Sequence, residues 1–346
     1  MGVSTEQGGN ARIRVVLLIL IVAACFAVGL AVGWYAQGQS GKDSEGISQP
    51  PSASTSVSAS SGDAGSGSAS SSSGKQGSSS SGDKIDTGAL CDLLGEDTAD
   101  RLIKRAKKDK DAAWIASHPD AYGVFREHIQ QKSLMLAADE AEAAAFVRGL
   151  PKQFPAKKPD YDADAMPVDL ETDKVPQTYY PHLYQWDLRW GYTMYDGDAF
   201  GLSGCGPTAM AMVYQGITGD EEMTPYDMGQ IAFEGGFVDP DYGGTYDEYY
   251  PYAAERLGLR FEQLPVGVDN IVAALKDGKA IIAHVGPGTF SHVGHYIVLA
   301  DIVDSNKIVV NDPYSPTRSS KLWKADLIAS EAVALYAYSA PAAESE

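Results

Sequence analysis

The sequence predicts an α+β domain in its C-terminal half, reached through an apolar span, a polar linker and a small helical segment. Three observations predict this. Helix-spaced apolar residues between Gly206 and Lys276 give way, from Ala280 onward, to short apolar runs bounded by turn residues. Helices followed by such runs read as helices packed on an antiparallel sheet. Ahead of them, residues 15–36 are unbroken in their apolar character and residues 37–83 hold almost nothing large and apolar.

Residues 1–14 end in Arg12 and Arg14, and the run from Val15 to Ala36 follows directly. At about 1.5 Å per residue it is long enough to cross a hydrocarbon core of about 30 Å. The next basic residue is Lys42, so the charge bias keeps residues 1–14 in the cytoplasm and sends everything after the span outside. The expected location is a cell membrane crossed once, with the C-terminal domain extracytoplasmic. A cleaved signal peptide has an apolar core of about 7–15 residues, shorter than this one. Val22-Ala23-Ala24-Cys25 resembles a lipidation site, but apolar Phe26-Ala27-Val28 follows where such sites turn polar. Either alternative also leaves the C-terminal domain outside.

Residues 37–83, rich in Ser, Gly and Ala, read as a disordered tether. A coil of this length reaches on the order of 35–40 Å on average. Residues 84–158 change to Ala, Leu, Lys, Asp and Glu, and predict three helices. The first follows Asp97 and the second Pro119, with Tyr122, Phe125 and Ile129 on one face. The third begins at Asp139, with Glu142 completing a D-x-x-E capping pattern. This segment reads as a spacer or docking module, Cys91 as a small buried hydrophobe, and residues 159–174 as an extended connector. In the last domain, residues 175–339, helices are expected over Gly206–Tyr214, Thr224–Phe233, Thr245–Leu257 and Val268–Lys276.

The 346 residues carry a formal net charge of -19, placed unevenly. From Pro159 onward 29 Asp and Glu face 10 Lys and Arg, whereas before it the two are equal at 17 each. An acidic domain of this kind repels phosphate backbones, so no nucleic-acid partner is expected. Cys25, Cys91 and Cys205 are scattered and form no C-x-x-C pair, which argues against a zinc or redox centre and against a disulfide framework.

Ser203-Gly204-Cys205-Gly206-Pro207-Thr208 is a turn entering an apolar helix, with Pro207 in its first turn. A cysteine at a helix N-terminus has its thiolate stabilised by the dipole and by free N–H groups. Gly294-His295-Tyr296-Ile297 opens an apolar strand, and Lys307-Ile308-Val309-Val310-Asn311-Asp312 is a second strand ending at an acid. The short turn between Asp304 and Lys307 pairs the strands antiparallel and lets His295 meet Asp312. A helix-tip thiol, an imidazole to take its proton and a carboxylate to orient the ring are the parts of a thiol hydrolase. His292 is the competing base. His292 and His295 also make H-x-x-H, but without i,i+4 placement on a helix, so no metal and no cofactor are expected. His284 reads as a satisfied structural histidine.

Gln185-Trp186-Asp187-Leu188-Arg189-Trp190-Gly191-Tyr192, Gly204-Cys205-Gly206-Pro207-Thr208, Gly294-His295-Tyr296-Ile297 and Asn311-Asp312-Pro313, in this order, resemble the C39-like branch of papain-fold cysteine peptidases over Val175 to Ser339. The resemblance implies an α+β papain-like fold with Cys205 as nucleophile, His295 as base and acid, Asp312 as orienting acid and Gln185 as oxyanion donor. It implies cleavage of a peptide or isopeptide bond through a thioester, on a peptide or cell-wall-associated substrate. Members fused to bacterial exporters trim leader peptides; the expected outward topology, the lack of a transporter domain in this sequence and the position of Gln185 farther ahead of the cysteine depart from them and put leader processing in doubt. A binding module without activity and a cell-wall amidase or acyltransferase using the same residues are the two other classes of reading.

Overall fold

In the computed structural model, which describes residues 84–164, 175–195, 197–240 and 243–341, the helix formers after Lys84 fold as α1 (Thr87–Leu94), α2 (Glu96–Ala106), α3 (Lys110–Ser117), α4 (Glu127–Asp139) and α5 (Ala144–Gln153). Asp86 and Asp109 start α1 and α3 by accepting from the N–H groups of Ala89 at 3.1 Å and Ala112 at 2.8 Å. The expected span at 15–36, the linker at 37–83 and the second half of the connector lie outside the described residues. Among the described residues no helix is long and apolar enough to cross a membrane.

Two expectations for this segment are corrected. The helix after Pro119 is broken: Pro119–Tyr122 is a single 3-10 turn, and α4 starts only at Glu127. The Tyr122 hydroxyl donates to Val147 O at 2.9 Å, which pins the turn against α5. Asp139 does not start a helix; it is the last residue of α4, because Arg101 takes its carboxylate at 2.8 Å and removes it from capping.

Beyond the connector come a short antiparallel pair, β1 (Met194–Tyr195) and β2 (Asp198–Ala199), the turn α6 (Phe200–Ser203) and α7 (Cys205–Thr218). Gly219, at φ 75°, ends α7 in the left-handed conformation that favours glycine. Then follow α8 (Pro225–Glu234), α9 (Tyr249–Leu257), β3 (Arg260–Leu264), α10 (Val268–Lys276), β4 (Ala280–Val285), β5 (His295–Asp304), β6 (Lys307–Asn311), α11 (Pro316–Ser319), β7 (Leu322–Lys324), α12 (Ala325–Glu331) and β8 (Ala332–Ser339). Strands β3 to β8 form one sheet in the order β3-β8-β4-β5-β6-β7, with every neighbouring pair antiparallel. The sequence reading did not anticipate β3, an edge strand whose Arg260, Glu262 and Gln263 are exposed and give it no continuous apolar run.

Alternate side chains of the sheet feed two cores. Ile282, Tyr296, Val298 and Tyr336 pack with Met210 and Val213 of α7, while Ile281, Ile297, Leu299 and Leu335 pack with Ile271 of α10 and Ile328 of α12. Period-2 burial on both faces is what a central sheet between two helical layers requires.

A third core corrects the spacer reading. Leu102, Ile115, Leu134 and Phe146 of the helical segment pack in one cluster with Tyr184, Trp186, Tyr192 and Leu202 of the C-terminal part. The fit is reciprocal. A Cβ at Gly191 would lie 2.8 Å from the Phe146 ring, one at Gly201 would collide with the same ring, and one at Gly149 would collide with the Tyr192 hydroxyl. Tyr192 stacks on Phe146 at 4.9 Å and donates to its carbonyl at 3.0 Å. Lys132 of α4 reaches the fully buried Asp198 at 2.7 Å and Ser203 at 2.8 Å. Burying the Asp198 carboxylate is tolerated only with a cation this close, and the pair fixes how α4 seats.

Candidate active site

Gly204 precedes α7 without a side-chain cap, so the first-turn N–H groups of the helix are left for other partners. Cys205 opens the helix and keeps part of its surface in a cleft of about 370 Å³ that is also lined by Gln185, His295 and Tyr314. His295 is the first residue of β5, paired with Val285 of β4, and Asp312 follows the last residue of β6. His295 Nε2 lies 2.8 Å from Asp312 Oδ1, and both residues are buried. With Nε2 held by the carboxylate, Nδ1 is the nitrogen that remains for the hydrogen bond between His295 and the Cys205 thiol.

The charges support one another. Asp312 Oδ1 also accepts the N–H groups of Tyr314 at 2.8 Å and Ser315 at 3.2 Å, while Oδ2 takes the Arg318 guanidinium. Burial alone would raise the Asp312 carboxyl; the Arg318 and His295 charges and their hydrogen bonds instead hold it well below the usual range. Burial would lower His295, but the Asp312 charge, with hydrogen bonds to Asp312 and Cys205, lifts it to about 9. Burial would raise the Cys205 thiol, yet the His295 hydrogen bond and charge, with N–H groups of Tyr296 and Gly206, bring it below its ordinary value. The favoured state is a thiolate beside an imidazolium.

Gln185 sits in the same cleft, almost fully buried. Its Nε2 donates one N–H to Gly201 O at 3.1 Å, so one further amide N–H is available to a substrate oxygen. The structure thus brings together Cys205, His295, Asp312 and Gln185. His292 is exposed on the Gly288–Gly294 loop that forms the cleft rim. His284 instead bonds Asp247 through Nδ1, 2.9 Å from its Oδ1, and Asp247 also takes the Tyr296 hydroxyl at 2.7 Å.

Sequence reasoning missed three contributors. Arg318 clamps Asp312 and lies 5.5 Å from the Tyr314 ring centre. Glu140, from the helical segment, is buried beside them, and burial pushes its carboxyl up to about 7 against the Ser315 hydrogen bond and the Arg318 charge. The opposite wall is α4 itself, which presents His128, Gln131, Lys132, Met135 and Asp139. Their spacing of 3, 1, 3 and 4 residues is a single helical face, a signal the sequence did contain.

Residues 177–343 match the family model described as Peptidase_C39 like family. This part of the chain is similar to C39-like peptidases. The chain is accordingly a cysteine peptidase, and the helical segment lies outside the matched residues. Among solved structures the chain is similar to the peptidase domain of Streptococcus ComA, a bi-functional ABC transporter involved in a quorum sensing pathway. The two are 20% identical, with a TM-score of 0.29 over 40% of this chain and 91% of that one. It is also similar to a C39-like peptidase from Bacillus anthracis, 16% identical, with a TM-score of 0.29 over 39% of this chain and 88% of that one. No curated protein matches the chain.

Proposed function

We propose that this chain is a membrane-anchored, extracytoplasmic cysteine hydrolase that cleaves a peptide or isopeptide bond with Cys205, His295, Asp312 and Gln185. The observation that carries the reading is His295, held on one nitrogen by Asp312 at 2.8 Å and on the other by the Cys205 thiol, at the edge of an open cleft. The Cys205 thiolate adds to the carbonyl carbon of the scissile bond. The resulting oxyanion takes hydrogen bonds from the Cys205 N–H at the helix tip and from the Gln185 amide. Collapse breaks the C–N bond, the leaving amine takes the Nδ1 proton of His295, and a thioester remains. Water then gives a proton to His295 as its oxygen adds to the thioester; the thiolate leaves, and the acid product departs.

Alkylation tests the chemistry without a known substrate. Limiting iodoacetamide should modify Cys205 well before Cys91, with a pH midpoint clearly below the roughly 8.5 of a free cysteine. The Cys205→Ser variant should lose hydrolysis of peptide libraries and wall fragments, read by mass spectrometry, while still binding them. Equal reactivity of Cys205 and Cys91 would falsify the nucleophile and favour a binding module. The anchor rests on Arg12, Arg14 and the run at 15–36. Protease added to intact cells should remove the peptidase domain; protection until lysis would sink the outward placement.

A further inference from the structure

A second depression, of about 720 Å³, opens beside the cleft and shares Asp139, Thr289, His292 and Arg318 with it. Its walls are cationic. Arg101, Lys104 and Arg105 stand on one face of α2, and Lys108 continues that face at a spacing of 3, 1 and 3 residues. Arg318 and Lys321 approach from the peptidase domain. Three of these cations are already answered: Arg318 by Asp312, Arg101 by Asp139, and Arg105 by the main-chain carbonyls of Ala138 and Asp139. Lys104, Lys108 and Lys321 are exposed, and their ammonium groups have no hydrogen-bond or ion-pair partner among the described residues. Four of the six cations come from the helical segment, set against a peptidase domain whose part of the sequence, from Pro159 onward, has 29 acidic against 10 basic residues.

Resting on the peptidase reading above, we infer that this depression is an acidic-residue subsite: Lys104, Lys108 and Lys321 bind Asp or Glu side chains of the peptide whose scissile bond lies over Cys205. Continuity with the cleft favours an extension of the substrate over an independent ligand, since any chain leaving the cleft past Thr289 and Arg318 enters the depression. The surrounding acidic surface favours a short acidic stretch over a long polyanion, which would be repelled as soon as it left the pocket. Asp139 and Glu140 within the walls act in the same direction, limiting how much negative charge the pocket accepts.

The test uses the full chain and fluorescein-labelled hexaglutamate and hexaglutamine peptides, followed by anisotropy. Hexaglutamate should bind, hexaglutamine should not, and about 0.5 M salt should weaken binding, because exposed pairs are screened within a few ångströms at that strength. Lys104→Gln, Lys108→Gln and Lys321→Gln together should weaken hexaglutamate roughly tenfold, as three exposed contacts each contribute modestly. The matching Lys→Arg variants should retain it, which separates lost charge from lost fold. In peptide-library digests, cleaved products should be enriched in Asp and Glu for the native chain and lose that enrichment in the triple Gln variant. Unchanged hexaglutamate binding in the triple Gln variant, or equal binding of both peptides, overturns the inference. Inorganic polyphosphate displacing the probe more tightly than unlabelled hexaglutamate overturns it in favour of a phosphate polymer. Fast Cys205 alkylation with flat anisotropy removes only this inference, whereas slow alkylation removes the peptidase mechanism and leaves the binding result standing.

Discussion

Asp312 sets the charge state of its neighbours because His295, Tyr314, Ser315 and Arg318 all donate to it and its own side chain is fully buried. Its carboxylate lifts His295 to about 9 from an ordinary 6.5, so the imidazolium contact stabilises the fold fully below about 6.5 and is lost as pH rises through about 9. Asp312 works in the opposite sense: its depressed carboxyl contributes above the ordinary carboxylate value of 3.8 and loses that contribution as pH falls below it. Asp312→Asn keeps the shape and removes the charge. The alkylation midpoint of Cys205 should then move up, the alkaline limb of activity should move down toward 6.5, and turnover should fall on the order of 10- to 10⁴-fold, judged from serine triads. Unchanged midpoint and turnover would remove Asp312 from the mechanism. At this scale the site was legible where chemistry is written in short runs, as in Gly204-Cys205-Gly206-Pro207 and Asn311-Asp312-Pro313. Arg318 and Glu140 were not, because nothing local distinguishes a clamping arginine from a surface one. Their roles exist only once α11 and the end of α4 are folded against Asp312.

Helices and strands were legible in proportion to how regularly they bury residues. Strands β4 and β5 alternate between two apolar cores, and α10 shows a clean apolar face; both were placed closely from the sequence. The boundary at Asp139 was misplaced because a capping pattern and an ion-pair partner look alike until Arg101 arrives. Docking of α5 was hidden in glycines. Gly191 and Gly201 make the socket for Phe146, and the Tyr192 stack keeps that ring from turning away. Gly201→Ala therefore overpacks a closed site, and denaturant unfolding should show a loss of about 1–3 kcal/mol. A midpoint equal to that of the native chain would mean that the ring has room to move and that the interlock is looser than its geometry.

Across the whole molecule, net charge is a poor guide to the surface beside the cleft, since a total of -19 conceals a basic wall built by residues distant in sequence. The helical segment, which reads from sequence as a spacer or docking module, supplies most of that wall and most of a hydrophobic core. Trp186, Tyr184 and Leu202 are covered by residues that the ribosome has made earlier, and those residues in turn wait for them. The third core is left open in either half alone, although the two cores of the sheet lie wholly within the C-terminal half. Produced as two separate chains, 84–164 and 175–346, each should be poorly soluble or partly unfolded, and mixing them should regenerate a folded heterodimer with a fast-reacting Cys205. Size-exclusion chromatography and alkylation of the mixture read this out; a stable, fully reactive 175–346 fragment on its own would refute it. Recovery in the mixture would make the molecule a split enzyme, in which bringing two polypeptides together switches on a thiol.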